Sequence, residues 1–353
     1  MDAPLHVLVV DDSAVVRQAF TLVLTRHKGI TVETASDPLI AMERIKRNRP
    51  HVLVLDLEMP RMDGLTFLRQ LMREDPMPVV VCSGRVGAGS EAAVRALEEG
   101  AVDLIAKPEL AVGDFLRESS TLLVDTVRAA ARARPRPRGP RPPAAVSSLT
   151  PPPLLRTTTD KVIALGASTG GTEALRTVLE VMPPDCPGIV LVQHMPQYFM
   201  TAMAKRFQQL CRIEVKEAAP GDRVLQGRAL IAPGNRHMRV LRSGGHYIVE
   251  LSDEPPVSWH RPSVDVLFHS VARAAGPNAV GAIFTGMGSD GAEGLLAMKQ
   301  AGAATLAQDE ASCVVFGMPK EAIALGAVDD VVPLERMADA IRRRARGAAV
   351  ARP

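Results

Sequence analysis

Residues 162–173 read VIALGASTGGTE, an apolar run that passes directly into a glycine-rich turn around one serine. A junction of this kind typically holds either a phosphate group or a nucleophile. A Walker phosphate-binding loop needs a lysine and a hydroxyl residue directly after its last glycine, but here Thr172 and Glu173 follow Gly171. The dinucleotide-binding pattern G-x-G-x-x-G fails as well, because no glycine stands two positions after Gly166.

The pattern that does fit is G-x-S-x-G, which runs from Gly166 to Gly170 with Ser168 at its centre. In a nucleophile elbow, such a turn lifts the serine hydroxyl above the end of a strand, and the glycines make room for the backbone. A plain capped turn also fits the pattern, because a helix over residues 172–182 would let Ser168 and Thr169 cap its first turn. The short pattern alone leaves both interpretations open.

A histidine and an aspartate in compatible places favour the nucleophile. Of the five histidines in the C-terminal half, only His194 directly ends a strongly apolar run, GIVLVQH, and Asp290 lies in the glycine-rich turn of AVGAIFTGMGSDG. Ser168, His194 and Asp290 therefore each follow a separate predicted parallel strand, and such strand ends meet at one edge of an α/β sheet. Serine would attack, imidazole would take its proton and the carboxylate would fix the tautomer. Asp309, after ATLAQ, is a rival carboxylate that spacing does not exclude.

The N-terminal part alternates apolar runs with helical patterns, which predicts a second doubly wound sheet. The predicted buried strands cover residues 5–10, 51–55, 78–82 and 102–106. Polar side chains follow these strands: Asp11, Asp12, Asp56, Ser83 and Lys107. Three converging carboxylates would bind a hard cation such as Mg²⁺, and the lysine and the hydroxyl could hold a phosphoryl group.

The composition narrows the classes of protein to which the chain can belong. Its 353 residues are enough for two ordinary domains, and 46% hydrophobic with 23% charged residues is usual for a globular protein. Aromatic residues make up only 3%, which argues against binding nucleic acid through stacking platforms. The absence of a long apolar run, of a signal peptide and of paired cysteine motifs predicts a cytoplasmic protein without membrane insertion.

Residues 128–158 are rich in proline and arginine and contain no acidic residue. Such a segment favours an extended linker, with a basic arm for nucleic acid or anionic lipid as the alternative. The predicted organisation is therefore a domain over residues 1–127, this linker, a second domain over 159–346 and a tail over 347–353.

The segments VVDDS, LDLEMPRMDG and AKP resemble the receiver domain of response regulators, which implies a flavodoxin-like fold. The resemblance implies that Asp56 is the phosphorylated residue and that Asp11, Asp12 and Asp56 hold Mg²⁺. It also implies that Ser83 and Lys107 contact the phosphoryl oxygens, with a chemotaxis histidine kinase as the phosphodonor.

One position departs from that family. Receivers often carry an aromatic switch residue three positions before the lysine, where this chain has Leu104. Coupling through rotation of an aromatic ring is therefore not expected, whereas the phosphorylation chemistry is unaffected.

The segments GASTGGTEAL, QHMP, APGNRHMRV, HRPSVDVLFHS and TGMGSDGAEGL resemble the catalytic domain of the chemotaxis methylesterase CheB family. The resemblance implies a Rossmann-like domain that hydrolyses glutamate methyl esters on methyl-accepting chemoreceptors, without a cofactor for this reaction. Ser168, His194 and Asp290 match the family's triad. The Met287 backbone N–H matches its oxyanion donor, and Thr169 lies beside the nucleophile. HMRVLRSGGHYIVEL predicts an antiparallel hairpin that turns at residues 243–245.

Three alternatives remain from the sequence. The same acyl chemistry on glutamine is deamidation, and the chain could instead be a CheB-like enzyme that serves receptors outside flagellar chemotaxis. The third alternative is a response regulator whose second domain only binds a partner, although a binding module has no need of a serine, histidine and aspartate set. If the chain is an esterase, a linker of about 30 residues is long enough to let an unphosphorylated receiver restrain it.

Overall fold

The structure, a computed structural model, describes residues 4–60, 62–84, 88–107, 120–133 and 161–346. The chain forms two compact units, Met1–Val146 and Ser147–Pro353. Each unit contains a parallel sheet with helices packed on it, which confirms the predicted α/β class. None of the helices in the described ranges is long and apolar enough to cross a lipid bilayer.

The first unit contains a five-stranded sheet in which all neighbouring strands are parallel. Its strands are β1 (Leu5–Val10), β2 (Ile30–Ala35), β3 (Val52–Asp56), β4 (Val79–Ser83) and β5 (Asp103–Ala106). Its helices are α1 (Ala14–Thr25), α2 (Pro38–Arg47), α3 (Gly64–Glu74), α4 (Ala88–Glu98) and α5 (Ser120–Ala131). The strand order β2-β1-β3-β4-β5 is the flavodoxin-like order, and it brings the ends of β1, β3, β4 and β5 to one edge.

Polar residues just before helices α2 and α3 fix where these two helices begin. The side chain of Asp37 accepts hydrogen bonds from the first N–H groups of α2, and that of Asp63 accepts one from the Thr66 N–H in α3. Gly64, the first residue of α3, lies against the end of β3. A Cβ at this position would lie 2.0 Å from the Asp56 carbonyl oxygen, so only glycine lets α3 approach Asp56 so closely.

Strand β2 was not predicted from the sequence. In its sequence, ITVETA, apolar and polar residues alternate, and only the first and the last of the six are buried. The strand lies at the edge of the sheet and pairs only with β1. Because an edge strand is only partly buried, it lacks the continuous apolar run by which the other strands were predicted.

The predicted start of the linker at Arg128 is wrong, because α5 continues through this residue to Ala131. The sequence VRAAARA has high helix propensity, and the helix buries Val127, Ala129 and Ala130. The rest of the predicted linker, from residue 134 onward, and the predicted tail over 347–353 lie outside the described residues.

The second unit contains a seven-stranded parallel sheet and a separate two-stranded sheet. Its strands are β6 (Val162–Ala167), β7 (Gly188–Gln193), β8 (Glu214–Glu217), β9 (Arg228–Ile231), β10 (His237–Ser243), β11 (His246–Ser252), β12 (Ala279–Ile283), β13 (Ala304–Gln308) and β14 (Asp330–Val332). Its helices are α6 (Gly171–Leu179), α7 (Gln197–Leu210), α8 (Val264–Ala275), α9 (Ala292–Gln300), α10 (Met318–Ala324) and α11 (Leu334–Ala345).

The order of the large sheet, β14-β13-β12-β6-β7-β9-β8, reverses direction next to β6. The chain moves from β6 to β7 on one side and later fills the other side from β12 outward. In an open α/β sheet, the crevice at such a reversal is where ligands bind. The three strands that precede Ser168, His194 and Asp290 are the adjacent strands β6, β7 and β12, at this crevice.

Strands β10 and β11 form the predicted antiparallel hairpin, with Ser243 paired to His246 at its turn. Its apolar face packs on α8, where Met238, Val240 and Val249 share a core cluster with Phe268. The Val240 N–H also donates to the Ser270 hydroxyl in α8 at 2.9 Å. The hairpin therefore supports helix α8.

Candidate functional site

Ser168 follows β6 directly and lies in a tight turn before α6. The helix begins at Gly171, so Gly170, which has a φ of 76° and no side chain, takes the N-cap position in place of Ser168 or Thr169. The Ser168 N–H instead donates to the Thr285 carbonyl at 3.0 Å, which ties the serine to the end of β12.

Gly286 brings a second backbone segment against the serine. A Cβ at Gly286 would lie 2.6 Å from the Ser168 Cβ and 3.1 Å from the Ser168 nitrogen, so a larger residue would push the two segments apart. The next residue is Met287, whose backbone N–H the sequence resemblance assigns to the oxyanion. The structure therefore brings the segment that carries this N–H directly beside the nucleophile turn.

His194 and Asp290 form the polar centre of the crevice. His194 follows β7, its N–H donates to the Ala167 carbonyl, and its Nε2 lies 2.8 Å from Asp290 Oδ2. Both side chains are buried, with 7% of His194 and 1% of Asp290 exposed. The structure thus brings together the histidine and the aspartate that the sequence predicted.

Asp290 accepts three further hydrogen bonds, all from residues at the start of α8. The donors are the Ser263 hydroxyl at 2.7 Å, the Val264 N–H at 2.7 Å and the Asp265 N–H at 3.2 Å. Burial opposes the charge of Asp290, but the hydrogen bonds from His194, Ser263 and Val264 outweigh it and hold the pKa of the carboxyl below its usual range. Asp290 is therefore a carboxylate at neutral pH.

Asp309, the rival carboxylate, has a different role. Its Oδ1 accepts hydrogen bonds from the Ser312 N–H at 3.1 Å and from the Ser312 hydroxyl, in the turn after β13. The structure therefore selects Asp290 over Asp309 as the partner of His194.

The second ring nitrogen of His194, Nδ1, is buried and has no hydrogen-bond partner in the described part of the chain. The Ser168 hydroxyl is consequently not hydrogen-bonded to His194 in this structure. Such contacts are often long before a substrate binds. The arrangement leaves one imidazole nitrogen on a carboxylate and the other available to a hydroxyl.

His260 is a site residue that the sequence reasoning missed. Its ring stacks on that of His194, with the ring centroids 3.7 Å apart and the planes inclined by 6°. Burial and the nearby His194 lower the pKa of His260 to about 4. Because lone pairs lie in the plane of an imidazole ring, two stacked rings cannot direct them at one metal ion, and the pair instead fixes the plane of His194.

Gln193 is a second residue that was missed. It is buried at the end of β7, and its Nε2 donates to the Ser168 carbonyl at 2.8 Å and to the His194 carbonyl at 2.9 Å. One amide group thus joins the turn of the nucleophile to the residue of the base. The polar residue at the end of the run GIVLVQ was the available signal, because buried strand positions seldom carry glutamine.

In the first unit, the predicted acidic cluster also comes together. Asp11 and Asp56 are buried, Asp12 is exposed, and ligand oxygens of the three lie within 4.8 Å of one another. Lys107 Nζ lies 2.7 Å from Asp56 Oδ2 and 3.8 Å from Asp11 Oδ2. Ser83 is buried at the end of β4, next to β5 and to β3 in the sheet.

The charges of this cluster are only partly balanced. Burial and the Asp56 carboxylate raise the pKa of Asp11 to about 6. Burial opposes the charge of Lys107, but the hydrogen bond and the charge of Asp56 outweigh it and raise the lysine pKa. Asp11 Oδ2 is buried without a hydrogen-bond partner in the described residues, so the oxygen-rich cluster fits a hard divalent cation.

We expect the second unit to lose stability as the pH falls from about 6.5 to 4. His260 has a pKa of about 4 in the folded chain and an ordinary value of 6.5, so the unfolded chain binds its proton more readily in this range. The His260→Phe variant keeps a planar ring for the stack but has nothing to protonate there. Its midpoint of urea unfolding should fall less between pH 7 and pH 5 than that of the wild type.

Burial raises the pKa of Asp265 to about 6, but this group titrates in both proteins, so the difference between them isolates His260. Equal losses of stability in the two proteins would contradict the assignment of a buried neutral imidazole.

Family models match both units. The model described as CheB methylesterase matches residues 163–341, and that described as response regulator receiver domain matches residues 7–113. The catalytic domain of the Thermotoga maritima CheB methylesterase has a similar structure, with a TM-score of 0.51. It is 34% identical and covers 52% of this chain and 97% of its own.

Relatives extend the similarity to nearly the whole chain. A protein-glutamate methylesterase/protein-glutamine glutaminase of Anaeromyxobacter dehalogenans is 58% identical over 97% of this chain and 99% of its own length. One of Chromohalobacter salexigens is 53% identical over 97% and 96%. Both the order of the two domains and the full-length identity lead to one conclusion: the chain belongs to the CheB methylesterase family and carries a response regulator receiver domain in its N-terminal part.

Proposed function

We propose that the second unit hydrolyses glutamate methyl esters on the cytoplasmic helices of chemoreceptors, giving glutamate and methanol, and that phosphorylation of the first unit controls this reaction. The observation that carries the proposal is the buried His194–Asp290 pair beside the Ser168 turn at the sheet's crevice. The names of the relatives, protein-glutamate methylesterase/protein-glutamine glutaminase, support the same chemistry.

Asp290 sets the tautomer from which the reaction begins. Because the carboxylate accepts a hydrogen bond at Nε2, the ring carries its proton there and keeps a lone pair at Nδ1. Nδ1 then removes the proton of the Ser168 hydroxyl as the oxygen attacks the ester carbonyl carbon. The imidazolium that forms lies against a carboxylate that burial and hydrogen bonds keep charged.

The carbonyl oxygen becomes an oxyanion in the tetrahedral intermediate. The Met287 N–H, beside the nucleophile turn, donates to this oxygen, and one such donor is typically worth about 3 kcal/mol in the transition state. His194 returns its proton to the departing methoxide, which leaves as methanol. Water, activated by the same imidazole, then attacks the acyl-enzyme, releases the glutamate and restores Ser168.

The same site acts on a glutamine side chain if ammonia takes the place of methanol as the leaving group. The residues for acyl transfer are identical in the two reactions, so the geometry does not separate an ester from an amide. The glutaminase part of the relatives' names favours this second activity. Mass spectrometry of the receptor distinguishes the two, because ester hydrolysis lowers the mass and deamidation raises it.

In the first unit, Asp56 accepts the phosphoryl group from a chemotaxis histidine kinase. Asp11, Asp12 and Asp56 would hold Mg²⁺, which would supply positive charge to offset the charge of the phosphoryl group. Lys107, already 2.7 Å from Asp56, and Ser83 contact the phosphoryl oxygens. Leu104 is buried where an aromatic switch would stand, so the signal does not pass through rotation of an aromatic ring.

We infer that the unphosphorylated receiver restrains the esterase in the cytoplasm, where receptor helices and kinase are found. The same two sites would serve in a pathway outside flagellar chemotaxis. Only the identity of the receptor distinguishes that alternative from flagellar chemotaxis. A function limited to binding is disfavoured, because it explains neither the buried carboxylate–imidazole pair nor the close approach of Gly286 to Ser168.

The triad makes the first prediction for activity. Ser168→Ala and His194→Ala should abolish methanol release, and Asp290→Asn should slow it about 10³–10⁴-fold because the imidazole loses its orienting acceptor. Methanol released from methylated receptor is the measurement, with urea unfolding to show that Ser168→Ala remains folded.

Asp309→Asn is the matched control, because Asp309 bonds Ser312 and not His194, and it should retain activity. Near-normal turnover in Ser168→Ala, or loss in Asp309→Asn with full activity in Asp290→Asn, would show that the assignment is wrong.

Phosphorylation of the first unit should depend on Mg²⁺. With Mg²⁺ and a small phosphodonor such as acetyl phosphate, the chain should take up one phosphoryl group, and a chelator should prevent uptake. Asp56→Asn should remove the uptake, whereas Asp63→Asn, at the cap of α3, should retain it. Intact-mass spectrometry reports the stoichiometry, and unchanged uptake in Asp56→Asn would overturn the assignment.

A further inference from the structure

The segment that leads from the hairpin to α8 carries an unusual turn. The Val257 N–H donates to the His260 carbonyl at 3.1 Å and the His260 N–H donates to the Val257 carbonyl at 2.9 Å, so the turn has two central residues. These are Ser258, with a φ of 51°, and Trp259, with a φ of 65°. Turns of this type favour asparagine and glycine, because a side chain is strained in the left-handed region.

Trp259 is also the most exposed of the chain's described large hydrophobic residues, with 94% of its surface accessible. An exposed indole contributes little to folding, since its apolar surface remains in water. The chain therefore maintains a strained backbone in order to present a side chain that its own fold does not use. Such a combination points to a contact with a partner, and tryptophan is enriched among residues that dominate interfaces.

The turn is fixed relative to the active site on both sides. The residue after Trp259 is His260, whose ring stacks on His194, and Ser263 donates to Asp290 a few residues later. Arg261 fastens the base of the turn, because its guanidinium donates to the Asp253 carbonyl at 2.9 Å and to Asn235 Oδ1 at 2.7 Å. Trp259 is thus held at a set position, next to the residue that stacks on His194.

A substrate helix bound at Ser168 passes close to this turn. An α-helix with its side chains is about 10–12 Å wide, so a helix that delivers a glutamyl ester to Ser168 also lies over the residues around His194. Trp259 is next in sequence to the residue that stacks on His194. The acidic groups nearby already have ion-pair partners, since Asp253 pairs with Arg236 and Glu254 with Arg239. The exposed indole is therefore the main group at this turn that is left for a partner to contact.

We propose that Trp259 is a docking residue that packs on the apolar side of the receptor helix carrying the glutamyl ester. This inference rests on the proposed function, because it takes a protein helix as the substrate. The Trp259 contact sets receptor affinity, whereas Ser168, His194 and Asp290 carry out the chemistry.

Trp259 is the chain's only tryptophan, so its fluorescence reports the contact directly. The full-length Ser168→Ala variant, with acetyl phosphate and Mg²⁺ present throughout to remove the restraint by the first unit, binds without turning over. The probe is a methylated cytoplasmic receptor fragment that contains no tryptophan. The emission of the free protein should be that of indole in water, and receptor should shift it to shorter wavelength in a saturable way. An unchanged spectrum at saturating receptor would overturn the proposal.

A kinetic test uses Trp259→Gly, which also relieves the backbone strain and so should remain folded. Its KM for the methylated receptor should rise at least tenfold with a much smaller change in kcat. The matched control is Val331→Ala, which removes an apolar side chain that is 52% exposed on the edge strand β14, and which should leave both constants unchanged. An unchanged KM in Trp259→Gly contradicts the docking role.

The two tests separate this proposal from the proposed function. If receptor shifts the spectrum of the Ser168→Ala variant but the wild type releases no methanol, docking is supported and the esterase function is refuted. Normal methanol release with no spectral shift refutes docking alone. A shift with phosphodonor alone, to which receptor adds nothing, also refutes docking, because the first unit and not the receptor would then cover Trp259.

Discussion

The site in the second unit depends on the Asp290 carboxylate, whose buried charge is stabilised by hydrogen bonds. This one side chain receives hydrogen bonds from His194 after β7 and from Ser263 and Val264 at the start of α8, and it lies in the turn that leads into α9. A buried carboxylate is costly unless each lone pair has a donor, so these elements must come together for the charge to be tolerated. The same bonds that lower the pKa of Asp290 also orient the base.

The two units apply the same geometric rule to different chemistry. In each unit, parallel strands deliver polar side chains to the carboxyl edge of a sheet, where the backbone leaves room for a ligand. The first unit brings carboxylates and one lysine to that edge, which suits a phosphoryl group and a cation. The second brings a hydroxyl, an imidazole and a carboxylate, which suits acyl transfer. The chemistry differs because the side chains at the strand ends differ.

Sequence patterns predicted the elements whose residues are buried on both sides, and they failed where burial is partial. β6 and β7 are wholly buried and read as apolar runs, whereas the edge strand β2 alternates with polar residues and escaped notice. The linker begins later than the sequence pattern predicts. The arginines from Arg128 onward favour a linker, but the alanines between them continue the helix to Ala131.

The predicted site shows the same division. Strand ends placed Ser168, His194 and Asp290 after separate parallel strands, and the structure adds that these three strands are adjacent. The stack of His260 on His194, the bonds of Gln193 and the donation by Ser263 depend on how loops fold back across the edge, and no local pattern in the sequence encodes that. The choice between Asp290 and Asp309 needed the structure for the same reason.

The most direct measurement of the central claim is methanol release from methylated receptor by the full wild-type chain, with and without acetyl phosphate and Mg²⁺. We expect methanol in proportion to the esters lost from the receptor, released faster when the phosphodonor is present. Methanol release no greater than that of receptor alone, under both conditions, would contradict it.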